Sequence, residues 1–145
     1  MPNPTMSKAE RETFLAQTHV GVLTVDEAGR GPCTTPVWYR YAPGDSIRVT
    51  ISPTSRKVQL LRRAGRASLC AQSESLPYRY VTVEGPIELQ EIDVAADQHE
   101  MAHRYLGAKL AERYLKSNAD GLSKEILLLL RPAHWRTVDF SKSSL

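Results

Sequence analysis

The densest run of side chains able to grip an anion lies in VTISPTSRK, where the hydroxyls of Thr50, Ser52, Thr54 and Ser55 precede Arg56 and Lys57. A strand-like IRVTIS comes first and a helical SRKVQLLRRA follows, so the basic pair falls where a helix begins. Helix N-termini present unpaired N–H groups and the positive end of the helix dipole. With hydroxyls, a guanidinium fork and an ammonium, they form a set suited to a phosphate. The same residues also fit a plainer role, with Ser55 as N-cap and the cations as a solvated helix face. The residues alone leave both readings open.

A second chemical motif is His99-Glu100-Met101-Ala102-His103. It matches HExxH, in which two histidines one helical turn apart bind zinc and the glutamate acts as general base. On a helix, His99, His103, Leu106 and Leu110 share one column, which serves ligation or packing alike. The longer HExxHxxGxxH pattern fails, with Leu106 where glycine is needed and Lys109 where the third histidine is needed. Glu125 and His134 remain as third-ligand candidates, but surface or interface histidines are the expected reading and no metal is expected.

Several elements must position these groups. Ser7 and Glu10 have capping-box spacing, which predicts a short helix over about Ser7–Gln17 that plugs one end of the fold. HVGVLTVDE and PCTTPVWYRYAP, joined through AGRG, predict a hairpin. IRVTIS predicts a strand feeding directly into the basic helix, and ASLCAQS and YVTVEGPIEL predict two more strands around Leu76-Pro77. DVAADQHEMAHRYLGAKLAERYLKS predicts one helix with an interruption at Gly107, its acids placed first and Lys116 near its end. EILLLL and RPAHWRTVDF predict the last strand, where Pro132 demands an edge or a bulge. Six or seven antiparallel strands with short flanking helices make a mainly β fold, a β barrel with α additions, and the lack of alternating βαβ units excludes a Rossmann fold.

Composition narrows the function classes. At 145 residues the chain is one ordinary domain, expected to span 1–145, and 19 Lys and Arg against 16 Asp and Glu give a net charge of only +3. Ser55–Arg66 carries Arg56, Lys57, Arg62, Arg63 and Arg66 and no acid, whereas Glu84–Glu100 carries acids and no Lys or Arg. No aromatic platform interleaves with the basic block, so a nucleic-acid partner is not expected. Ile126–Leu130, the longest aliphatic run, falls far short of the ~20 residues that span a bilayer, and the charged start MPNPTMSKAERE lacks a secretory apolar stretch. No membrane segment and a cytoplasmic address are expected. Cys33 and Cys70 lie in no CxxC spacing and are expected to be reduced and packed.

HVGVLTVDEAGRGPCTTPVWY, VTISPTSRKVQLLRRAGRASL, VTVEGPIEL and HWRTVDFSK together resemble the pyridoxamine 5′-phosphate oxidase-like family of FMN- and deazaflavin-binding split barrels, over nearly the whole chain. The middle segment carries the resemblance: a strand ending in Thr/Ser, then Ser-Arg-Lys, a short helix and a small-residue strand. The resemblance implies that Arg56 and Lys57 hold the cofactor phosphate, with Thr50, Ser52 and Ser55 as nearby donors. It also implies that the strand Thr34–Trp38, through Thr35 and Val37, runs its backbone along the ring edge, and that Tyr80 lies near the ring. Trp38, Tyr39 and Trp135 are read either as pocket or as core.

The chain departs from true pyridoxamine phosphate oxidases by ending at DFSKSSL, without the extended basic and aromatic segment that binds their substrate phosphate. RYLG in the late helix is similar to the actinobacterial-type branch, many of whose members use coenzyme F-420. The resemblance therefore implies an oxidoreductase that uses coenzyme F-420, with FMN as the alternative, to pass hydride to a small unsaturated substrate. Both cofactors carry a phosphate and a tricyclic ring. Arg62, Arg63 and Arg66 are read either as contacts for a polyglutamate tail or as a solvated face. Tyr78, Tyr80 or a water are the proton-donor candidates, and no catalytic residue is assigned. A non-catalytic carrier of a flavin, deazaflavin or haem-type ligand is the competing reading. A homodimer is expected to close an open apolar face and complete the cofactor groove.

Overall fold

Ser7 and Glu10 close the capping box: the Ser7 hydroxyl accepts from the Glu10 N–H (3.2 Å) and the Glu10 carboxylate accepts from the Ser7 N–H (2.9 Å). This starts helix α1, Lys8–Ala16, which buries Phe14 and Leu15. The computed structural model describes residues 3–143. After α1 the order is β1 (Gly21–Val25), β2 (Cys33–Val37), β3 (Ile47–Ile51), α2 (Arg56–Ala64), β4 (Arg66–Gln72) and β5 (Arg79–Gln90). A π-helical segment, Val94–Glu100, then leads into α3 (Met101–Ser117), α4 (Ala119–Leu122), β6 (Ile126–Leu130) and β7 (His134–Asp139).

The strands form one antiparallel, curled sheet in the order β2-β1-β4-β5-β6-β3, with β7 also on β5. Period-two alternation sends Leu23 and Val25, Val49 and Ile51, Leu69 and Ala71, and Val81 and Val83 into a shared interior. Beyond β2, the Arg40–Arg48 bridge brings the chain back to β3, the far end of that order, and so curls the sheet toward closure. The segment PCTTPVWYRYAP is thus shorter as a strand than its sequence suggests. It stops at Val37, and Trp38–Tyr41 are irregular apart from that bridge.

β5 is long enough to serve two neighbours along one edge. Its Ile87–Gln90 half pairs with β6 and its Arg79–Glu84 half with β7. Between β6 and β7 the chain bulges at Arg131–Ala133, where Arg131 N–H donates to Pro86 and Ala133 N–H to Glu84. Pro132 therefore sits in the irregular step its missing N–H calls for. Gly85 opposite admits that step, because a Cβ there would lie 1.8 Å from the Arg131 carbonyl oxygen.

The unbroken ILLLL of β6 is buried on both faces. Leu128 and Leu130 join the barrel core, while Leu127, on the other face, is equally buried. Met101, Ala102, Ala111 and Leu122 of the α3–α4 segment are also buried outside that core, as a second layer requires. The acidic stretch is not one uniform helix. It opens with the π-helical segment, whose Asp97 is fully buried against Arg48, and α3 breaks at Gly107 (φ 77°, ψ 165°). Before the break, Arg104 Nη2 caps the end of α1 by donating to the carbonyls of Ala16 (3.0 Å) and Gln17 (2.6 Å). Cys33 and Cys70 are free and half-buried.

Candidate functional site

The turn Ser52–Ser55, closed by the Ser55 N–H donating to the Ser52 carbonyl (3.1 Å), delivers the chain from β3 into α2. Ser55 occupies the N-cap position, but its side chain caps nothing, and its Oγ is buried without a partner. A buried hydroxyl with no partner is costly and asks for one. Ser52 and Thr54 share a hydrogen bond between their hydroxyls (3.1 Å) at the rim. Arg56 is exposed and forms an ion pair with Glu27 from the turn between β1 and β2. Lys57 is half-buried and acts on Glu125, just ahead of β6, whose carboxyl also has the Thr50 hydroxyl as hydrogen-bond partner. Burial pushes the Glu125 carboxyl above its ordinary range, against the lowering pull of Thr50 and Lys57.

At the other end of the β1–β2 hairpin lies a cleft of about 340 Å³ lined by Val20, Pro36, Val37, Trp38 and Tyr114. The Trp38 indole stacks on Tyr105 (centroids 5.0 Å apart, planes within 4°) and is tilted against Tyr114 (5.5 Å). Tyr105 is fixed in turn: its hydroxyl accepts from the Tyr39 N–H (3.0 Å) and donates to the His19 carbonyl (2.6 Å). The Tyr114 hydroxyl is pushed above its usual range by burial and by the Glu125 charge, so Glu125 couples the aromatic cleft to the basic corner. From Cys33 to Trp38 the chain covers about 16 Å at the rise of a strand. One edge of β2 pairs with β1, and β2 ends the sheet order.

The residues expected from sequence fall into three groups. Thr50, Ser52, Ser55, Arg56 and Lys57 come together at one corner, as their spacing implies. Thr35 and Val37 pair with Leu23 and Gly21 on the half-buried face of β2, with the exposed Thr34 and Pro36 on its other face. Tyr80 does not join them within one chain. It pairs with Val138 near the start of β5, whereas Thr50 is level with Leu127 and Gln90 at its end, ten residues on. The aromatic alternatives also separate. Trp38 lines the cleft, while Tyr39 is fully buried in the core and its hydroxyl donates to the Leu15 carbonyl (2.7 Å). Trp135 packs edge-on to Tyr41 (6.2 Å) under the Arg11 guanidinium (4.5 Å), against the core. Arg62, Arg63 and Arg66 are exposed and make no ion pair among the described residues.

Sequence reasoning missed Glu27 and the place of Glu125. Both meet the basic pair from segments remote in the chain, and no local pattern marks either. The HExxH residues are engaged separately: Glu100 forms an ion pair with Arg40 (2.8 Å), and His103 uses Nδ1 toward the His99 carbonyl (2.7 Å) and Nε2 toward Glu112 (3.3 Å). Among the described residues no three His, Cys, Asp or Glu side chains form a metal-binding group, and no helix is long and apolar enough to cross a membrane.

A curled antiparallel sheet of this order, with short helices at its flanks, defines the class of split β-barrels. More narrowly, the chain belongs to the pyridoxamine 5′-phosphate oxidase family, whose model matches residues 7–139. Among solved structures it is similar to the conserved hypothetical protein Rv2991 from Mycobacterium tuberculosis, at 25% identity and a TM-score of 0.78 over 97% of this chain and 89% of that one. A protein described as an F420 reductase is similar at 19% identity and a TM-score of 0.72, over 86% and 94% of the two chains. A heme binding protein from Mycobacterium smegmatis is similar at 26% identity and a TM-score of 0.64, over 92% of this chain and 54% of that one. A search of curated protein sequences finds no match.

Proposed function

We propose that the chain is an oxidoreductase that binds a phosphate-bearing deazaflavin, coenzyme F-420, and reduces a small unsaturated substrate, with FMN as the alternative cofactor. The observation that carries this is the buried, unpartnered Ser55 hydroxyl at an uncapped helix start beside Arg56 and Lys57. That donor set fits a phosphate in charge and in hydrogen-bonding sense. The likeness to an F420 reductase supports the choice of cofactor through the fold alone.

When bound, the cofactor supplies hydride chemistry at its ring; the protein supplies binding, orientation and electrostatics. Arg56 and Lys57 neutralise the phosphate, while Ser52, Ser55 and the N–H groups opening α2 orient it. The backbone of β2 and the Trp38–Tyr114 wall form the ring side, where Trp38 is held by its stack on Tyr105. Tyr80, remote from the corner in its own chain, reaches the groove from a second copy. The exposed Val20, Val22 and Leu110 offer that copy an apolar face.

Parallel fluorescence titrations with coenzyme F-420 and FMN test the reading. Replacing Lys57 or Arg56 by Ala removes a charged hydrogen bond and is expected to weaken binding by about 1.5–3 kcal/mol each. Titration curves unchanged in both variants would overturn it.

A second reading, a non-catalytic carrier, is favoured by the mostly apolar and aromatic side chains lining the cleft and by the similar heme binding protein. Steady-state oxidation of reduced cofactor by any of a panel of enones, quinones and biliverdin-like tetrapyrroles excludes it.

A further inference from the structure

Arg56 of the basic corner is already paired with a carboxylate of this chain, and a second carboxylate lies near enough to Lys57 to feel its charge. Glu27 reaches Arg56 from the β1–β2 turn, and its side chain is only 12% exposed, so its charge is fixed beneath the guanidinium. Glu125, just ahead of β6, has the Thr50 hydroxyl as its partner and feels the Lys57 charge without forming an ion pair with it among the described residues. With both carboxylates ionised, the four side chains sum to zero formal charge. An anion entering this corner therefore meets an Arg56 charge offset in advance, while Lys57, which forms no ion pair among the described residues, supplies most of the neutralising charge.

We propose that Glu27 and Glu125 are specificity-determining residues that tune this corner for a singly charged phosphodiester and against a doubly charged phosphate monoester. The inference rests on the reading that the corner holds the cofactor phosphate. A monoester such as that of FMN has its second ionisation near pH 6 and is mostly a dianion at neutral pH, whereas the phosphate of coenzyme F-420 is a diester with a single charge. Hydroxyls and N–H groups orient either oxyanion equally well, so at the phosphate itself the second charge separates the two. That charge is opposed chiefly by the nearly buried Glu27 carboxylate at the guanidinium, with Glu125 acting from farther off near Lys57. Burial, which disfavours the ionised form of Glu125, gives the corner one way to relax toward a second charge, by taking up a proton there. Glu27, held by Arg56, is the harder barrier.

The test measures dissociation constants of FMN and coenzyme F-420 by ring fluorescence at pH 7.5 for the full chain, Glu27→Gln, Glu125→Gln and Lys57→Ala. Comparing how the ratio of the two constants changes removes the differences between the ligands in ring and tail. Each Gln variant keeps the shape of the side chain and is expected to tighten FMN about tenfold while changing F-420 by less than about threefold. A ratio unchanged in both Gln variants, with Lys57→Ala weakening both ligands, overturns the charge-matching inference and leaves the phosphate placement standing. Lys57→Ala leaving both affinities untouched overturns the placement, and the inference with it.

Discussion

The Cα of Gly85 lies so near the Arg131 carbonyl that a methyl group added to it would come within 1.8 Å of that oxygen. The obstacle is backbone, and it belongs to the bulge by which one segment pairs with both halves of β5. Gly85→Ala must reopen that bulge, and a loss of about 3 kcal/mol or more is expected. Urea denaturation monitored by tryptophan fluorescence measures it.

Arg48 grips the fully buried Asp97 with two hydrogen bonds, from Nε (2.6 Å) and Nη2 (2.9 Å), and so ties β3 to the π-helical turn. Burial works to raise the Asp97 carboxyl, but the Arg48 contact and the Asp93 N–H hold it below its ordinary value. A depressed carboxylate stabilises the fold above its unfolded pKa of about 4, and that contribution disappears as pH falls through the lower folded value. Asp97→Asn should cost about 3 kcal/mol near neutral pH, and the gap from the parent should shrink in acid. Thermal melts between neutral and acid pH check both parts.

Tyr105→Phe keeps the stack under Trp38 but takes away the acceptor of the Tyr39 N–H and the donor to His19. Leaving buried backbone groups unpaired is expected to cost about 1–3 kcal/mol. Cofactor binding should weaken with it, because the indole loses its fixed support. A variant as stable as the parent, with unchanged ligand affinity, would remove Tyr105 from the account of the cleft.

On the reading that the basic corner holds the cofactor phosphate, Glu125 is expected to give binding a pH signature. Its carboxyl titrates above the ordinary range because burial outweighs Thr50 and Lys57, and Tyr114 is the other titratable group facing it. As pH rises through that raised value the group ionises beside the incoming phosphate, so affinity for coenzyme F-420, whose diester charge is constant, should fall. Glu125→Gln should flatten the profile. Titrations at successive pH values from acid to neutral decide it.

A second copy of the chain is expected to cover Val20 and Val22, and light scattering at micromolar concentration should report a dimer. Val22→Glu, on the outer face of β1, should shift it toward monomer and weaken cofactor binding in parallel.

Much of the fold was legible because local chemistry decides it. The Ser7–Glu10 spacing is a capping box in fact, the alternating segments are strands, and Pro132 lies in a bulge. The basic corner was legible for the same reason, since all its donors lie within one short stretch. Its carboxylates were not: Glu27 and Glu125 reach it from remote segments, and only the folded barrel brings them near. The π-helical turn was hidden as well, and the pairing of its buried Asp97 with Arg48 comes from a remote strand that no local periodicity marks. The Trp38 stack depends likewise on a tyrosine 67 positions away, at Tyr105.

The two-part edge of β5 also sets an order of events during synthesis. Arg79–Glu84 leave the ribosome long before His134–Asp139, the strand that pairs with them. Through that interval a central β edge has no partner of its own, which is when a nascent chain is most exposed to pairing with a neighbour. Slowing translation ahead of β7 should therefore lower soluble yield, even though every element before it has already been made.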